Sequence, residues 1–159
     1  MKKELLIDGT TYVFHLFEEF KIWRLMENTN LFHAQKLDLE IDLNTVSNFK
    51  WEDIESFIKF WKGNAPLKIR NIDSSKKVLI SYYTEIFKNT SLDLNSVEFK
   101  FTGINFKGFS DNVNLKNEFV YDLIFYPIDK TNEMADMGSF VWNSLFRNEL
   151  FLGVYCDRI

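Results

Sequence analysis

Alternation of hydrophobic and polar residues is clearest between residues 96 and 126, where it predicts two long strands joined by a polar turn. In the first strand, the apolar residues from Val97 to Phe101 occupy every second position. The parity shifts at Thr102-Gly103, and the apolar face continues from Ile104 to Phe106. Because a slip of one residue would turn the apolar set to solvent, the pattern predicts a β-bulge at this glycine.

The second of these strands, residues 119–126, carries apolar side chains on both faces except at Asp122. Such a strand is typical of the middle of a sheet that is covered on both sides. A carboxylate buried there without a partner would cost several kcal/mol, so we expect Asp122 to be hydrogen-bonded, ion-paired or close to the sheet edge. A structural role is the simpler interpretation of Asp122, and a functional role is the alternative.

Residues 37–43 alternate in the same way, with aliphatic residues on one face and three carboxylates on the other: Asp38, Glu40 and Asp42. A solvated strand face is the simplest interpretation of this acidic row. Like charges about 7 Å apart along a strand repel each other, so the row could instead be a binding surface for a basic partner. A calcium site fits less well, because alternate residues of a flat strand do not wrap around one ion.

Helical spacing is clearest from Trp51 to Lys62, where a stripe of apolar residues predicts a helix that ends at the following glycine. A second helix is predicted from Ser74 to Lys88, with Asp73 as its N-cap. Residues 65–72 contain Pro66 and are predicted to form a connector with a short extended piece.

Two hairpins are predicted at the ends of the chain. Asp8-Gly9 between two strand-like stretches is typical of a type I′ turn, and Lys21 to Met26 continue as a third strand or a bend. Residues 139–156 predict a final hairpin with its turn at Arg147-Asn148. Its strands could form an uncovered sheet edge, and an uncovered edge can pair with a second copy of the chain. Association of two chains through this hairpin is therefore one of the possible arrangements.

The loop between the central strands and the final hairpin, residues 127–138, is long for a connection and has no clear period. Loops of this length are often functional. Acidic residues mixed with adaptable methionines suit protein recognition, while a solvated loop is the alternative. The candidate partner-binding residues of this loop are Asp129, Glu133, Met134, Asp136 and Met137.

Together these elements predict an α+β fold, with a mostly antiparallel sheet and two helices packed on one face. No internal repeat or break in composition divides the chain, so residues 1–159 are predicted to form a single domain. With 46% hydrophobic residues, a chain of this length can bury a sizeable core.

Charge and hydropathy narrow the class of protein. The net charge of −4 argues against a nucleic-acid binder, which needs a clustered basic surface. The start, MKKELLIDG, has too short an apolar run for a signal peptide, and no run of about 18 apolar residues predicts a membrane span. We therefore expect a cytoplasmic protein that binds neither nucleic acid nor membranes.

The sequence contains no motif of a catalytic, cofactor or metal site, so we expect no enzyme, no cofactor and no metal. A single cysteine, Cys156, excludes an internal disulfide and a cysteine-cluster zinc site. A hydrolase that combines Asp122 with a second carboxylate is the least favoured alternative, and pairing of Asp122 with a lysine would argue against it. A small-ligand-binding or accessory subunit domain, with a pocket between sheet and helices, is the stronger alternative.

The segments KLDLEIDL, WEDIESFIKFW and NELFLGVYCDRI, in a small acidic chain, resemble the small acidic single-domain bacterial immunity proteins that neutralise a cognate toxin. The resemblance implies a cytoplasmic protein that caps a toxin's active site, or a neighbouring surface, by charge and shape complementarity. The implied partner is a protein, such as a basic toxin, attracted by the acidic strand and the acidic loop. The oligomeric state stays open.

Overall fold

The computed structural model describes residues 1–25, 38–46, 48–63, 65–89, 94–109, 118–128 and 140–158. These residues contain eight strands and two α-helices. In chain order they are β1 (Lys2–Ile7), β2 (Thr10–Phe17), β3 (Ile22–Leu25), β4 (Asp38–Asp42), α1 (Trp51–Lys62), α2 (Ala65–Phe87), β5 (Glu98–Phe109), β6 (Phe119–Ile128), β7 (Phe140–Arg147) and β8 (Leu150–Arg158).

The strands form one sheet whose spatial order is the chain order, from β1 at one edge to β8 at the other. Every neighbouring pair is antiparallel except β4 and β5, which run parallel. A parallel pair needs a long crossover, and α1 and α2 supply it. The predicted α+β class and mostly antiparallel sheet are therefore confirmed.

The first predicted turn is confirmed in its backbone conformation. Asp8 and Gly9 have φ values of 49° and 76°, the positive pair that a type I′ turn requires. At the other end of the chain, the predicted hairpin is formed by β7 and β8. Its turn is at Asn148-Glu149, one residue later than predicted, and Asn148 also has a positive φ, 48°.

The predicted bulge in β5 is confirmed by a shift of its register with β6 between Phe101 and Gly103. The parallel neighbour gives a further reason for the glycine. A Cβ added at Gly103 would lie 2.9 Å from the backbone oxygen of Asp38 on β4. The close approach of β4 therefore requires a residue without a side chain at this position.

Helix α1 has the predicted bounds, and its predicted apolar stripe is buried at Ile54, Phe57, Ile58 and Trp61. Helix α2 begins earlier than predicted. Residues 65–72 are helical rather than a connector, and Asp73 lies inside the helix instead of capping it. Pro66 is compatible with this start, because the first turn of a helix has no intrahelical partner for its N–H groups. The buried stripe of α2 runs from the predicted connector into the predicted helix and comprises Lys68, Ile72, Ser75, Leu79 and Tyr83.

The core consists largely of aromatic rings that the helices place against the central strands. The ring of Phe57 on α1 lies 5.0 Å from that of Phe106 on β5 and 5.4 Å from that of Tyr121 on β6. On α2, the ring of Tyr83 lies 5.3 Å from that of Trp142 on β7. Each such pair contributes about 0.5–1.5 kcal/mol beyond the area it buries. Neither helix in the described ranges has a stretch long and apolar enough to span a bilayer.

Candidate functional site: the polar face of the sheet

One face of the sheet carries a row of polar residues across six neighbouring strands, and we call it the polar face. Residues paired across adjacent strands point to the same side, so the register defines the row as Lys2, His15, Arg24, Glu40, Asn105 and Asp122. The row continues with Leu145 on β7 and Gly153 on β8. Tyr121 precedes Asp122 and points the opposite way into α1, so the polar face at Asp122 is turned away from that helix.

Asp122 is the centre of a three-residue cluster on this face. Its side chain is only 1% exposed. Its Oδ2 accepts a hydrogen bond from the Tyr155 hydroxyl at 2.5 Å and lies 2.8 Å from Lys107 Nζ. Lys107 Nζ also donates to the Tyr155 hydroxyl oxygen at 2.8 Å, which closes the triangle. Strands β5, β6 and β8 each supply one member of the cluster.

Burial dominates the electrostatics of this cluster. It raises the pKa of the Asp122 carboxyl, although the hydrogen bonds from Lys107 and Tyr155 act in the opposite direction. It also raises the pKa of the Tyr155 phenol, and the hydrogen bond to Asp122 raises that pKa further. Tyr155 therefore stays protonated as a donor. Asp122 Oδ1 is buried and has no hydrogen-bond partner among the described residues, so the carboxyl group keeps unused acceptor capacity.

The acidic strand predicted from the sequence is β4, with Leu39 and Ile41 buried. Its three carboxylates differ in their surroundings. Asp38 is exposed, and no ion pair of its side chain occurs among the described residues. Glu40 Oε1 lies 2.5 Å from Arg24 Nη2, and Asp42 Oδ1 accepts hydrogen bonds from the Asn44 backbone and side chain at 2.8 and 3.0 Å.

Tyr126 on β6 extends the acidic part of the polar face. Burial and the nearby carboxylates of Glu40 and Asp38 raise the pKa of its phenol, while Arg24 lowers it. The carboxylates of Glu40 and Asp38 and the guanidinium of Arg24 therefore all act on Tyr126, and Lys100 of β5 is paired with it directly. Tyr126 itself is half-buried, so it adds an apolar ring with a polar end to this part of the sheet.

The acidic, methionine-bearing loop lies outside the described residues. The structure therefore places none of its predicted partner-binding residues, which are Asp129, Glu133, Met134, Asp136 and Met137. Of the predicted set, Asp38, Glu40 and Asp42 are described, and their assignment as partner-binding residues stays a prediction.

A second buried ionisable group lies away from the polar face, at Lys68 of α2. Its side chain is 0% exposed, and its Nζ has no hydrogen-bond partner in the described ranges. The ammonium group lies 3.4 Å from the ring centroid of Phe60 and 5.2 Å from that of Trp61, both on α1. Burial lowers the pKa of Lys68 to about 8, and Glu149 acts against that shift. The contacts of this lysine are cation–π contacts that join the two helices.

A groove of about 240 Å³ lies between α2 and the first residues of β5. Its lining combines two lysines with apolar side chains: Lys76, Lys77, Ile80, Val97, Glu98 and Phe99. Its position between sheet and helix corresponds to the pocket that the sequence analysis named as an alternative site.

Within the described ranges, no group of three or more histidine, cysteine, aspartate or glutamate residues is arranged to hold a metal ion. Asp122 is paired with Lys107, which is the arrangement that argues against the hydrolase alternative.

Sequence reasoning identified Asp122 but missed the two side chains that bind it, Lys107 and Tyr155. The alternation in β5 after the bulge does place Lys107 on the face opposite Phe106. The alternation shows on which side of the strand Lys107 lies, but it does not show that Asp122 is its neighbour. That contact depends on the pairing of β5 with β6 and of β7 with β8, which the sequence does not reveal. Arg24 was missed for the same reason, since its partner Glu40 lies on the next strand.

No family model, no curated protein and no solved structure matches this chain.

Proposed function

We propose that this protein is a cytoplasmic protein-binding module that acts as an immunity-type inhibitor and neutralises a cognate basic toxin through the polar face. The observation that carries the proposal is the exposed carboxylate of Asp38, which lies on a strand whose other two carboxylates already have partners. An exposed negative charge on a well-packed sheet attracts a basic partner without the cost of ordering a loop. The sequence resemblance to small acidic immunity proteins supports the same function.

We also infer that α1 and α2 cover the same face of the sheet, opposite the polar face. The ring contacts favour this arrangement, because Phe57 of α1 meets Tyr121 and Tyr83 of α2 meets Trp142. Tyr121 pairs with Phe146, which has the same parity on β7 as Trp142. In this arrangement the helices leave the polar face to a partner.

The existing ion pairs suit a rigid binding surface. Arg24 holds Glu40, and Lys107 with Tyr155 holds Asp122, so these side chains lose little freedom when a partner binds. Asp38 then supplies the charge that accelerates encounter, while the half-buried ring of Tyr126 supplies apolar contact area. In this proposal the paired charges hold the shape of the surface, and the exposed carboxylate of Asp38 gives long-range attraction.

The proposal is tested first by capturing the partner from the source cell and from products of neighbouring genes, at low and at high salt. A single stoichiometric basic partner that is released by salt is the expected result. With that partner in hand, Asp38→Lys is expected to lower the association rate constant about 2- to 10-fold at low salt, with a smaller effect at high salt.

The matched control for this experiment is Asp73→Lys, the same charge reversal at an exposed position on α2. The control shifts the net charge equally but lies off the polar face, so its association rate should stay close to that of the unaltered protein. Equal rates for Asp38→Lys and Asp73→Lys would remove the polar face from the proposal, and capture of no basic partner would remove the inhibitor function.

The groove between α2 and β5 favours a second candidate, a module that binds a small amphipathic anion. Lys76 and Lys77 would attract the anion, and the apolar floor with Ile80 and Phe99 would hold its hydrocarbon part. A panel of aliphatic carboxylates should then raise the melting temperature, and Lys76→Ala should weaken that shift. Lys59→Ala on α1 is the control, and equal shifts in both variants would contradict a site in this groove.

A further inference from the structure

The two edges of the sheet are built differently. Strand β1 begins with Lys2 and Lys3, and charged residues on an edge strand discourage pairing with another sheet. Strand β8 has the sequence LFLGVYCDR, and its charged residues are confined to its last two positions. Leu150 and Leu152 on β8 are 52% and 46% exposed. The β8 edge is therefore the apolar edge, and its outer backbone has no neighbouring strand among the described residues.

Helix α2 adds an apolar flank on the same side of the molecule. Val78, Tyr82 and Ile86 recur at four-residue spacing and are about 40% exposed, at 40%, 38% and 44%. The other flank of α2 faces the start of β5 through Ile80. Tyr82 is on the flank that faces β7, because its ring lies 5.8 Å from that of Trp142 on this strand.

The link from this flank to the sheet edge is direct. Trp142 pairs with Cys156 of β8, and α2 itself packs against β8. The exposed α2 flank therefore lies beside the Cys156 end of β8. We call this flank together with the outer edge of β8 the β8 edge surface.

We propose that the β8 edge surface, formed by Leu150–Arg158 with Val78, Tyr82 and Ile86 of α2, is the contact of a homodimer in which two β8 strands pair antiparallel about a two-fold axis. A strand can pair antiparallel with its own copy, because the two-fold axis brings the same backbone groups into register from both sides. The same axis places α2 of one copy antiparallel to α2 of the other. A second copy thus pairs with the outer backbone of β8, which has no partner strand among the described residues, and covers part of the apolar flank.

The size of the surface is sufficient for a stable dimer. Nine residues of β-strand are about 30 Å long, at about 3.3 Å per residue. The helix layer adds about 10 Å to the depth of the sheet, so a contact about 20 Å deep is expected. Such a contact buries roughly 600 Å² on each copy, or roughly 1,200 Å² in total, which is the lower limit of specific stable interfaces.

The proposed dimer does not depend on the proposed function, because the dimer contact uses the outer edge of β8, whereas the proposed toxin contact is centred on Asp38 of β4, four strands away in the sheet. It has one consequence for recognition. The two-fold axis is perpendicular to the joined sheets, so the polar faces of both copies point to the same side. The dimer would then present two partner-binding surfaces in parallel.

The test is the mass in solution of the full chain, measured by sedimentation equilibrium over a wide concentration range. The expected result is reversible formation of a species with twice the 19.0 kDa of the single chain. Leu152→Lys should shift the protein to the monomer. Leu6→Lys is the matched control, since Leu6 is a 71% exposed leucine on the opposite edge strand, β1.

Cys156, the only cysteine of the chain, lies on β8, so cross-linking of this thiol provides a second measurement of the dimer contact. A short bis-maleimide should link two wild-type chains, and Leu152→Lys should lose this product while Leu6→Lys keeps it. A monomer at all concentrations, a dimer equally sensitive to both substitutions, or open-ended assemblies that Leu6→Lys abolishes would each overturn the proposal. Circular dichroism of both variants shows whether they remain folded, and Val78→Glu on α2 provides a second disruption outside β8.

Discussion

Lys107 on β5 places its ammonium group 2.8 Å from the carboxylate of Asp122 on β6, in the only region of the sheet's polar row where a described carboxylate is almost completely buried. Tyr155 on β8 closes the cluster from two strands away. The side chain of Lys107 remains 27% exposed, so its charge is partly solvated while that of Asp122 is not. The contacts of this buried carboxylate therefore hold three strands in fixed relative positions. The desolvation free energy of burying the group is larger when it is ionised than when it is protonated.

Asp122→Asn should change the pH dependence of stability. Burial raises the pKa of Asp122 above its ordinary value of 3.8, so the folded state disfavours the ionised form. The stability that the protonated Asp122 contributes to the folded state is fully present below pH 3.8. It is lost as the pH rises through the raised pKa that this carboxyl has in the folded state. Denaturant unfolding at acid and neutral pH should show the variant gaining stability relative to the wild type as the pH rises. Asp73→Asn, at an exposed carboxylate on α2 that does not act on Asp122, is the control.

Tyr155→Phe should destabilise the fold by about 1–3 kcal/mol, because it removes the donor to Asp122 and the acceptor of Lys107 while keeping the ring. The free energy of unfolding in urea measures this loss. Tyr82→Phe removes a hydroxyl from a partly exposed tyrosine of α2 and should have a much smaller effect. Equal losses in both variants would show that the cluster contributes nothing specific.

Lys68→Met should stabilise the protein at neutral pH by about 1–3 kcal/mol, because an apolar side chain of similar length replaces a buried charge. Folding lowers the pKa of Lys68 from 10.5 to about 8, so the unfolded chain binds more protons between these values. The stability of the wild type should therefore rise as the pH increases from about 8 to 10.5.

The rise in stability with pH should be smaller in the Lys68→Met variant than in the wild type. The control variant Lys77→Met, at an exposed position of α2, should show the same rise as the wild type. Unfolding free energies at three pH values across this window measure the difference. A decrease in the stability of Lys68→Met at neutral pH would mean that the cation–π contacts with Phe60 and Trp61 outweigh the cost of burying the charge.

Gly103→Ala should destabilise the sheet by about 1–3 kcal/mol, because the new Cβ would lie 2.9 Å from the backbone oxygen of Asp38 and neither backbone can move freely. Thermal unfolding measures the loss. Gly63→Ala is the control, since its Cβ would make ordinary contacts of 3.5 Å with backbone oxygens of α1. An equally stable Gly103→Ala variant would show that β4 can move away from β5 without cost.

Local pattern was sufficient to predict the elements whose cause lies within a few residues. The type I′ turn at Asp8-Gly9, the bulge at Gly103 and the helix Trp51–Lys62 all follow from backbone preference or periodicity, and all are confirmed. The start of α2 was predicted wrongly, because Pro66 was taken as a helix breaker. Its burial partners, which make the first turns of α2 favourable, lie on α1 and the strands, far away in sequence.

The sequence by itself determined that Leu39 and Ile41 face the core while Asp38, Glu40 and Asp42 point the other way, because side chains alternate along any strand. Only the tertiary structure decided that Glu40 meets Arg24, that Asp122 meets Lys107 and Tyr155, and that Asp38 stays exposed. Those differences depend on which strands are neighbours and in which register. Strand order and register are set by the packing of the whole core, and no local pattern in the chain encodes them.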